Sequence, residues 1–500
     1  MSQTRQPSNL GKAFAHVPDQ AQAALIDLSA AGAPRMVSYG EFDALCDAVA
    51  RGISRAGVPS GAQVGLMAAN SARALAVLLG TLRAGRVAVP LNPRAGAEAL
   101  TQMAADAELT LCFCDSSGAR ALPEGLRCVR LEGEDFDHFI DPGPFEAHQP
   151  ADDDTALILF TSGSTGRPKG VLLSHASQLL IAKGYATAAM ADCLKAGPTV
   201  VAAPLFHMNA TVFCTLTLMM GGAMVLLPRF ETQAFMDALT RYGVSVVSGV
   251  PTMAALIAQQ AQADTRYPAV KLVTIGSAPL SEAVLAQVHR LFPEAGVINS
   301  YGTTETGAGY FGSHPEGRPR PPMSVGCVQP HARMRLVGGA TPDEGVLEIH
   351  CATRMSGYLK RQDLTAAKLR EGWIHTGDIM RRDADGWYYF VGRADDMFVC
   401  AGENVYPGEV ERLLERHAEV LEVCVLPFAD EVRGHVPVAF VVLRAGAVPS
   451  EQALKDHVLS RAAPHLHPRR IWFIDQMPLA GTNKIDRREL QERALKLAAM

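Results

Sequence analysis

Between residues 198 and 276 the chain reads PTVVAAPLF (198–206), FETQAFMDALTRYG (230–243), VSVVSGV (244–250), PTMAALIAQQAQA (251–263) and VKLVTIG (270–276). The first, third and fifth of these are short apolar runs with β-branched residues. The second and fourth repeat apolar residues every three to four positions, the period of a helix face. Short apolar strands separated by helices cannot pair as tight hairpins, so the pattern predicts mostly parallel sheets covered by helices. The same alternation holds upstream. SYGEFDALCDAVARGISRAG (38–57) is an amphipathic helix with a Gly stop, AQVGLMAA (62–69) a strand, SARALAVLLGTLRAG (71–85) a helix and VAVPLN (87–92) a strand.

Downstream the texture changes. From about Arg320, Gly and Pro punctuate strands such as VLEIHC (346–351) and GWYYFVG (386–392), which predicts a smaller antiparallel or barrel-like unit. A second boundary falls in VGRADDMF (391–398). Beyond it come helix PGEVERLLERH (407–417), strands VLEVCVLPF (420–428) and VPVAFVVL (436–443), helix SEQALKDHVLSRA (450–462) and a basic tail. The expected division is therefore a large α/β domain, 1–394, and a small α+β domain, 395–500.

Composition narrows the function classes. At 500 residues the chain exceeds one ordinary hydrophobic core, and 48% hydrophobic with 19% charged residues suits a globular enzyme. Lys plus Arg number 46 against 51 Asp plus Glu, so a general nucleic-acid coat is not expected. No run of about 18 apolar residues predicts a membrane span, and the polar start MSQTRQPSNLGKAF lacks a signal-peptide core. The expected location is cytoplasmic. Ten scattered cysteines without a CxxC pair read as core thiols, not as a zinc or disulfide framework.

The chemistry-bearing segments are four, with one histidine beside them. LILFTSGSTGRPKGVLLSH (157–175) sets Thr161, Ser162, Gly163, Ser164, Thr165, Gly166 and Lys169 in a loop between apolar runs. Glycines let successive N–H groups converge on an anion, hydroxyls add donors and the lysine adds charge, a composition suited to polyphosphate. It is not a Walker loop, since Arg167 and Pro168 break the GxxxxGK[ST] spacing. INSYGTTETG (298–307) follows a short strand, where open α/β sheets bind ligands. There Tyr301 offers a flat face, Thr304 a hydroxyl and Glu305 a hard oxygen ligand for Mg²⁺, although a solvated turn glutamate reads equally well. Asp378 and Arg393, in 372–398, suit the hydroxyls of a ribose or else an ordinary turn and surface. Lys484 stands on the loop MPLAGTNKIDRREL (477–490), where an isolated lysine is ordinarily surface decoration. His207, in APLFHMNAT (203–211), reads alone as a core or cap histidine.

Together, in this order, these segments resemble the acyl-adenylate-forming superfamily of acyl- and aryl-CoA ligases, free-standing adenylation domains and beetle luciferases. The resemblance spans roughly Ser38 to Leu490. GRADDMFVCAGENVYPGEVE (392–411) and FIDQMPLAGTNKIDRREL (473–490) look most like bacterial aryl- and acyl-CoA ligases of the 4-chlorobenzoate–CoA ligase kind. Asn483 precedes the lysine where many members carry Gly, a change the halobenzoate ligases tolerate.

The resemblance implies ATP, Mg²⁺ and coenzyme A as cofactors and a small carboxylic acid as substrate. By it, Thr161–Lys169 would hold the β- and γ-phosphates, with Thr161 also near the metal. Gly276, Ser277, Ala278 and Pro279, with Ser300, Tyr301, Gly302 and Thr303, would enclose the nucleotide. Thr304 would touch the α-phosphate, Glu305 would bind Mg²⁺, and Asp378 and Arg393 would hold the ribose. Lys484, with His207, Thr304 and Glu305, would form the catalytic set. His207, Met208, Asn209, Gly302, Gly307 and Ala308 would line the acid pocket. Asp395 would be the hinge of a mobile small domain, and Gly402 and Glu403 in the loop 400–407, with Arg433 and Arg469, would meet CoA.

The segments 206–211, 251–253, 276–278 and 302–308 contain no Lys or Arg. A second carboxylate would be buried there unpaired, so the expected acid is a neutral monocarboxylic one, medium-chain aliphatic or simple aromatic. The rival readings are an adenylation enzyme loading a carrier protein, a luciferase-type oxygenase and a non-catalytic nucleotide binder. The assemblies the sequence allows are a monomer and a homodimer.

Overall fold

The computed structural model describes residues 8–29, 33–162, 167–444, 446–480 and 484–498. The segment 198–276 forms the centre of a seven-stranded sheet ordered Gly296–Ser300, Leu272–Gly276, Val246–Gly249, Thr199–Val201, Met224–Leu226, Ala23–Asp27 and Arg35–Ser38. All neighbours are parallel except the last pair. The strands Thr199–Val201, Met224–Leu226 and Val246–Gly249 are buried along their whole length, as strands covered on both faces must be. Helices Thr232–Arg241 and Pro251–Gln260 supply the cover through Phe235, Leu239, Met253 and Ile257.

A second seven-stranded sheet runs Gly357–Tyr358, Pro168–Ser174, Thr155–Ser162, Val87–Pro90, Gln63–Met67, Leu111–Cys114 and Arg127–Arg130. Each of its first two neighbouring pairs is antiparallel and the remaining pairs are parallel. Helices Tyr39–Arg55 and Ala72–Arg83 fill the space between the two sheets, burying Phe42, Val49, Leu75 and Leu79 in one large core. Ser38 caps the first of these helices through a reciprocal box with Glu41.

From Ala332 a five-stranded antiparallel unit follows: Ala332–Thr341, Glu344–Cys351, Trp373–Arg382, Leu369–Arg370 and Tyr388–Arg393. Strands from Phe398 onward form a sheet of their own, in which Gly434–Leu443 pairs with Val420–Asp430, Phe398–Cys400 and Arg470–Phe473. This sheet has its own apolar clusters, one around Val410, Leu414, Val423 and Val441 and one around Phe440, Met477 and Leu490.

Eight of the ten cysteines are buried and all are free. Among the described residues, no helix is long and apolar enough to cross a membrane.

Candidate active site

The strands Leu272–Gly276 and Gly296–Ser300 end side by side, with Gly276 opposite Ser300. A Cβ on Gly276 would lie 2.5 Å from the Ser300 carbonyl, so only glycine fits this approach. Ser277 follows with φ +65°, a left-handed turn that swings the chain away from the strand end. Beyond Ser300 the segment folds back on itself. Gly307 N–H donates to the Thr303 carbonyl at 2.9 Å, and the Thr306 hydroxyl lies 3.0 Å from that of Thr303 and 2.7 Å from that of Tyr310. A Cβ on Gly302 would collide with the Gly307 carbonyl at 2.5 Å. The turn carrying Thr303, Thr304 and Glu305 is thus fixed by its own hydrogen bonds.

Across from it, Trp373–Arg382 and Tyr388–Arg393 place Asp378 directly opposite Arg393. Arg393 donates to Asp378 at 2.8 Å and to Asp395 at 3.1 Å, while the Tyr301 hydroxyl donates to the other Asp378 oxygen at 2.5 Å. Asp378 is only 4% exposed. Burial raises its carboxyl against the pull of Arg393, and burial with the Asp378 charge pushes the Tyr301 phenol well up. The ribose-type constellation expected from sequence is therefore one connected group.

Glu305 is held by a residue that sequence reasoning missed. The Tyr358 hydroxyl donates to Glu305 Oε1 at 2.8 Å, and Met355 N–H donates to the Glu305 carbonyl at 2.7 Å. Tyr358 reaches it because Gly357–Tyr358 pairs with Pro168–Ser174, which also puts the Tyr358 ring 5.9 Å from Lys169 Nζ. Thr161 lies opposite Lys169 in the hairpin that carries the Ser/Gly loop. Gly163, Ser164, Thr165 and Gly166 lie outside the described residues, as does the side chain of Ser162.

His207 precedes helix Met208–Met219. Its Nε2 is buried and has no hydrogen-bond partner among the described residues. Burial, with the Lys484 charge adding to it, pushes the imidazole down to about 4, so the ring is neutral at pH 7. Asn209 donates to Ser248 at 3.0 Å, and Met208 and Ala308 border the apolar group of Ile181 and Val212.

Lys484 comes from the other sheet system. Leu479 and Ile485 bridge, and Ala480 N–H donates to the Lys484 carbonyl at 2.8 Å, which fixes the backbone of the lysine; 481–483 lie outside the described residues. Burial pushes its ammonium below the ordinary lysine range; Asp378 opposes that shift and Arg393 adds to it. Asp378, Arg393 and His207 thus lie within electrostatic reach of Lys484.

The residues expected to meet CoA form a separate group. The segment 400–407, expected as a loop, is instead a hairpin followed by a helix start: Phe398–Cys400 and Glu403–Val405 pair through Ala401 and Gly402, both with positive φ, and helix Pro407–Glu415 begins at once. Ala401 N–H donates to the Arg433 carbonyl, and the backbone N–H groups of Arg433 and Val432, with the charges of Arg433 and Arg469 adding, hold the Asp430 carboxyl below its usual range. Arg469 Nε is buried with no partner among the described residues. Glu403 is exposed beside them.

The chain belongs to the AMP-binding enzyme family, which it matches over residues 14–359, with the AMP-binding enzyme C-terminal domain over 409–484. Within that family it falls in the acyl-CoA ligase branch. It is 31% identical to a sulfoacetate–CoA ligase of Cupriavidus necator, covering 92% of each chain. To a feruloyl-CoA synthase of an Amycolatopsis species it is also 31% identical, over 91% of this chain and 94% of that one. ATP-bound MatB from Rhodopseudomonas palustris superposes with a TM-score of 0.85 at 27% identity, over 97% of this chain and 99% of that one.

Proposed function

We propose that this enzyme joins a neutral monocarboxylic acid to coenzyme A in two steps at one site, with the domain boundary and hinge at 394–395. In the first step a carboxylate oxygen attacks the α-phosphorus of ATP, and pyrophosphate leaves as acyl-AMP forms. In the second the CoA thiolate attacks the acyl carbon and AMP leaves. The observation that carries this reading is Lys484, which comes from the small domain and is half-buried where its charge and those of Asp378 and Arg393 act on one another and it acts on His207.

Two anions must meet in the first step, so a positive charge placed between them lowers the barrier. Lys484 supplies it. Asp378 and Arg393 hold the ribose while Tyr301 and Gly276–Pro279 flank the base. The unpartnered His207 Nε2 suits a bound acid, and the close chain approaches at Gly276 and Gly302 set the turns that would flank the nucleotide. Glu305 and Thr161 would hold Mg²⁺, which when bound offsets phosphate charge. His207, neutral, orients the acid without repelling Lys484. Turning the small domain about Asp395 would withdraw Lys484 and bring Gly402, Glu403, Arg433 and Arg469 toward the phosphates of CoA.

The acid pocket supports a neutral substrate. Its segments carry no Lys or Arg, and the half-buried Arg320 is turned to the carbonyls of Asn299 and Val325, 3.4 Å from each. ATP–pyrophosphate exchange across a panel of acids tests this. Medium-chain aliphatic or simple aromatic monoacids are expected to exchange fastest; malonate, succinate or sulfoacetate outpacing all of them would overturn the substrate class. Thioester formation with free CoA, set against a carrier protein, identifies the acceptor.

A further inference from the structure

Helix Gln362–Lys368 lies between strand Gly357–Tyr358, which delivers Tyr358 to Glu305, and strand Trp373–Arg382, which delivers Asp378. Its last residue, Lys368, is partly buried, and its ammonium donates to the Thr376 carbonyl at 2.8 Å. That carbonyl is shared: Arg393 also reaches it, at 3.5 Å. The two cations are otherwise treated differently. Arg393 is paired with Asp378 and Asp395. Lys368 has no carboxylate within 4.0 Å among the described residues, although the charges of Glu305, Asp378 and Asp395 all act on it. An ammonium has three N–H donors, and among the described residues one is engaged. A partly buried cation with two unengaged donors is costly unless a further anion or acceptor completes it. The fields acting on it come from Glu305 on the metal side of the nucleotide site and Asp378 on the ribose side, which leaves the intervening phosphate as the missing partner.

We propose that Lys368 is a resident phosphate ligand of the large domain, donating to a phosphoryl oxygen of the bound nucleotide. This rests on the nucleotide reading given above. Beside Lys169 of the Ser/Gly hairpin, it assigns the site two further lysines with separate duties. Lys484 arrives with the small domain for adenylation, whereas Lys368 sits on a fixed helix and holds phosphate in both half-reactions. Binding calorimetry with the full-length chain separates this from a structural role, using adenosine, AMP and ATP as probes. Lys368→Met is expected to bind adenosine as the wild type does and to bind AMP and ATP about 10-fold more weakly, the loss typical of one charge-assisted hydrogen bond. Lys368→Arg should recover part of the AMP affinity. Lys368→Gln, which keeps a donor for the Thr376 carbonyl, guards against misfolding of the Met variant and should show the same selective loss. Equal weakening of adenosine and AMP would mean that Lys368 acts through the ribose carboxylate and would overturn the assignment; so would unchanged AMP binding. A wild-type chain that binds none of the three probes would instead overturn the nucleotide reading itself.

Discussion

Asp378 and Lys484 occupy the same site but are held there by different means. Asp378 is fixed by a cross-strand arginine, a tyrosine hydroxyl and the Thr376 side chain, which accepts its backbone N–H. Glu305, also of the large domain, is held by Tyr358. Lys484 has no ion pair among the described residues and meets Asp378 and Arg393 only through their charges. Residues of the large domain are thus bound in place before any substrate arrives, while the residue from the small domain is aimed but not tied. A group that must leave between two steps cannot be anchored by strong partners, because each such bond would have to be broken at every turnover.

The largest effect should come from removing the untied residue. Lys484→Ala is expected to lower pyrophosphate release about 10²–10³-fold, as for loss of one electrostatic donor. The same variant should convert supplied acyl-AMP and CoA to thioester near the wild-type rate. Asp395→Pro should do the reverse, since a fixed φ stiffens the hinge after Arg393. Both half-reactions are assayed separately. Equal impairment of the two by Lys484→Ala would show that the lysine serves a single fixed site, and the contrast between tied and untied residues would fail.

The fold was legible where pattern is local. VSVVSGV and FETQAFMDALTRYG became Val246–Gly249 and Thr232–Arg241 within two residues at each end. PTVVAAPLF yielded only Thr199–Val201, because Pro204 has no N–H for a ladder. The segment 400–407 carries no hairpin signal, because its turn is Ala401–Gly402 and not the Asn-Gly or Asp-Gly pair that announces such a turn. The Gly- and Ser-rich strings marked the site for the same local reason. Tyr358 and Lys368 were invisible because neither sits in a string with a chemical signature. Tyr358 reaches Glu305, 53 residues away, only through pairing with Pro168–Ser174.

A second contrast between the domains is their response to pH. In the large domain, His175 accepts a hydrogen bond from Leu10 N–H at 3.0 Å, and burial pushes it from 6.5 down to about 4. Its folded pKa is depressed, so the stability it contributes is present above pH 6.5 and is lost as pH falls toward 4. In the small domain, burial and the neighbouring Glu411 raise Glu422 from 4.5 to about 7. Its contribution is present below pH 4.5 and is lost as pH rises through 7. Each shift corresponds to at most about 3 kcal/mol. Trp472, packed on Phe440, reports the small domain once Trp373 and Trp387 are replaced by Phe. Glu422→Gln is expected to raise the small-domain unfolding midpoint at pH 8 and to leave it unchanged at pH 4.5. An equal change at both values would show that packing, not charge, sets the effect.

The smallest effect tests how tightly the large domain ties its metal-side carboxylate. Tyr358→Phe removes one hydroxyl and keeps the ring that faces Lys169, so it isolates the bond to Glu305. The phenol is a donor throughout the working range, because burial and the Glu305 charge push it far above the ordinary tyrosine value. Losing a hydrogen bond to a charged oxygen costs about 1 kcal/mol when the freed acceptor can find water or a cation. If Glu305 holds Mg²⁺ with one oxygen while Tyr358 fixes the other, the variant should need roughly 5-fold more Mg²⁺ for half-maximal pyrophosphate release. Its rate at saturating Mg²⁺ should match the wild type, since the ligand itself remains. Glu305→Gln, which can still accept from Tyr358 but has lost the charge, should shift the Mg²⁺ requirement further and lower the plateau as well. A Mg²⁺ titration on the three proteins ranks them. Coincident curves for Tyr358→Phe and wild type would mean that Glu305 is positioned by its turn alone, and full activity of Glu305→Gln in EDTA would remove the metal from this side of the site.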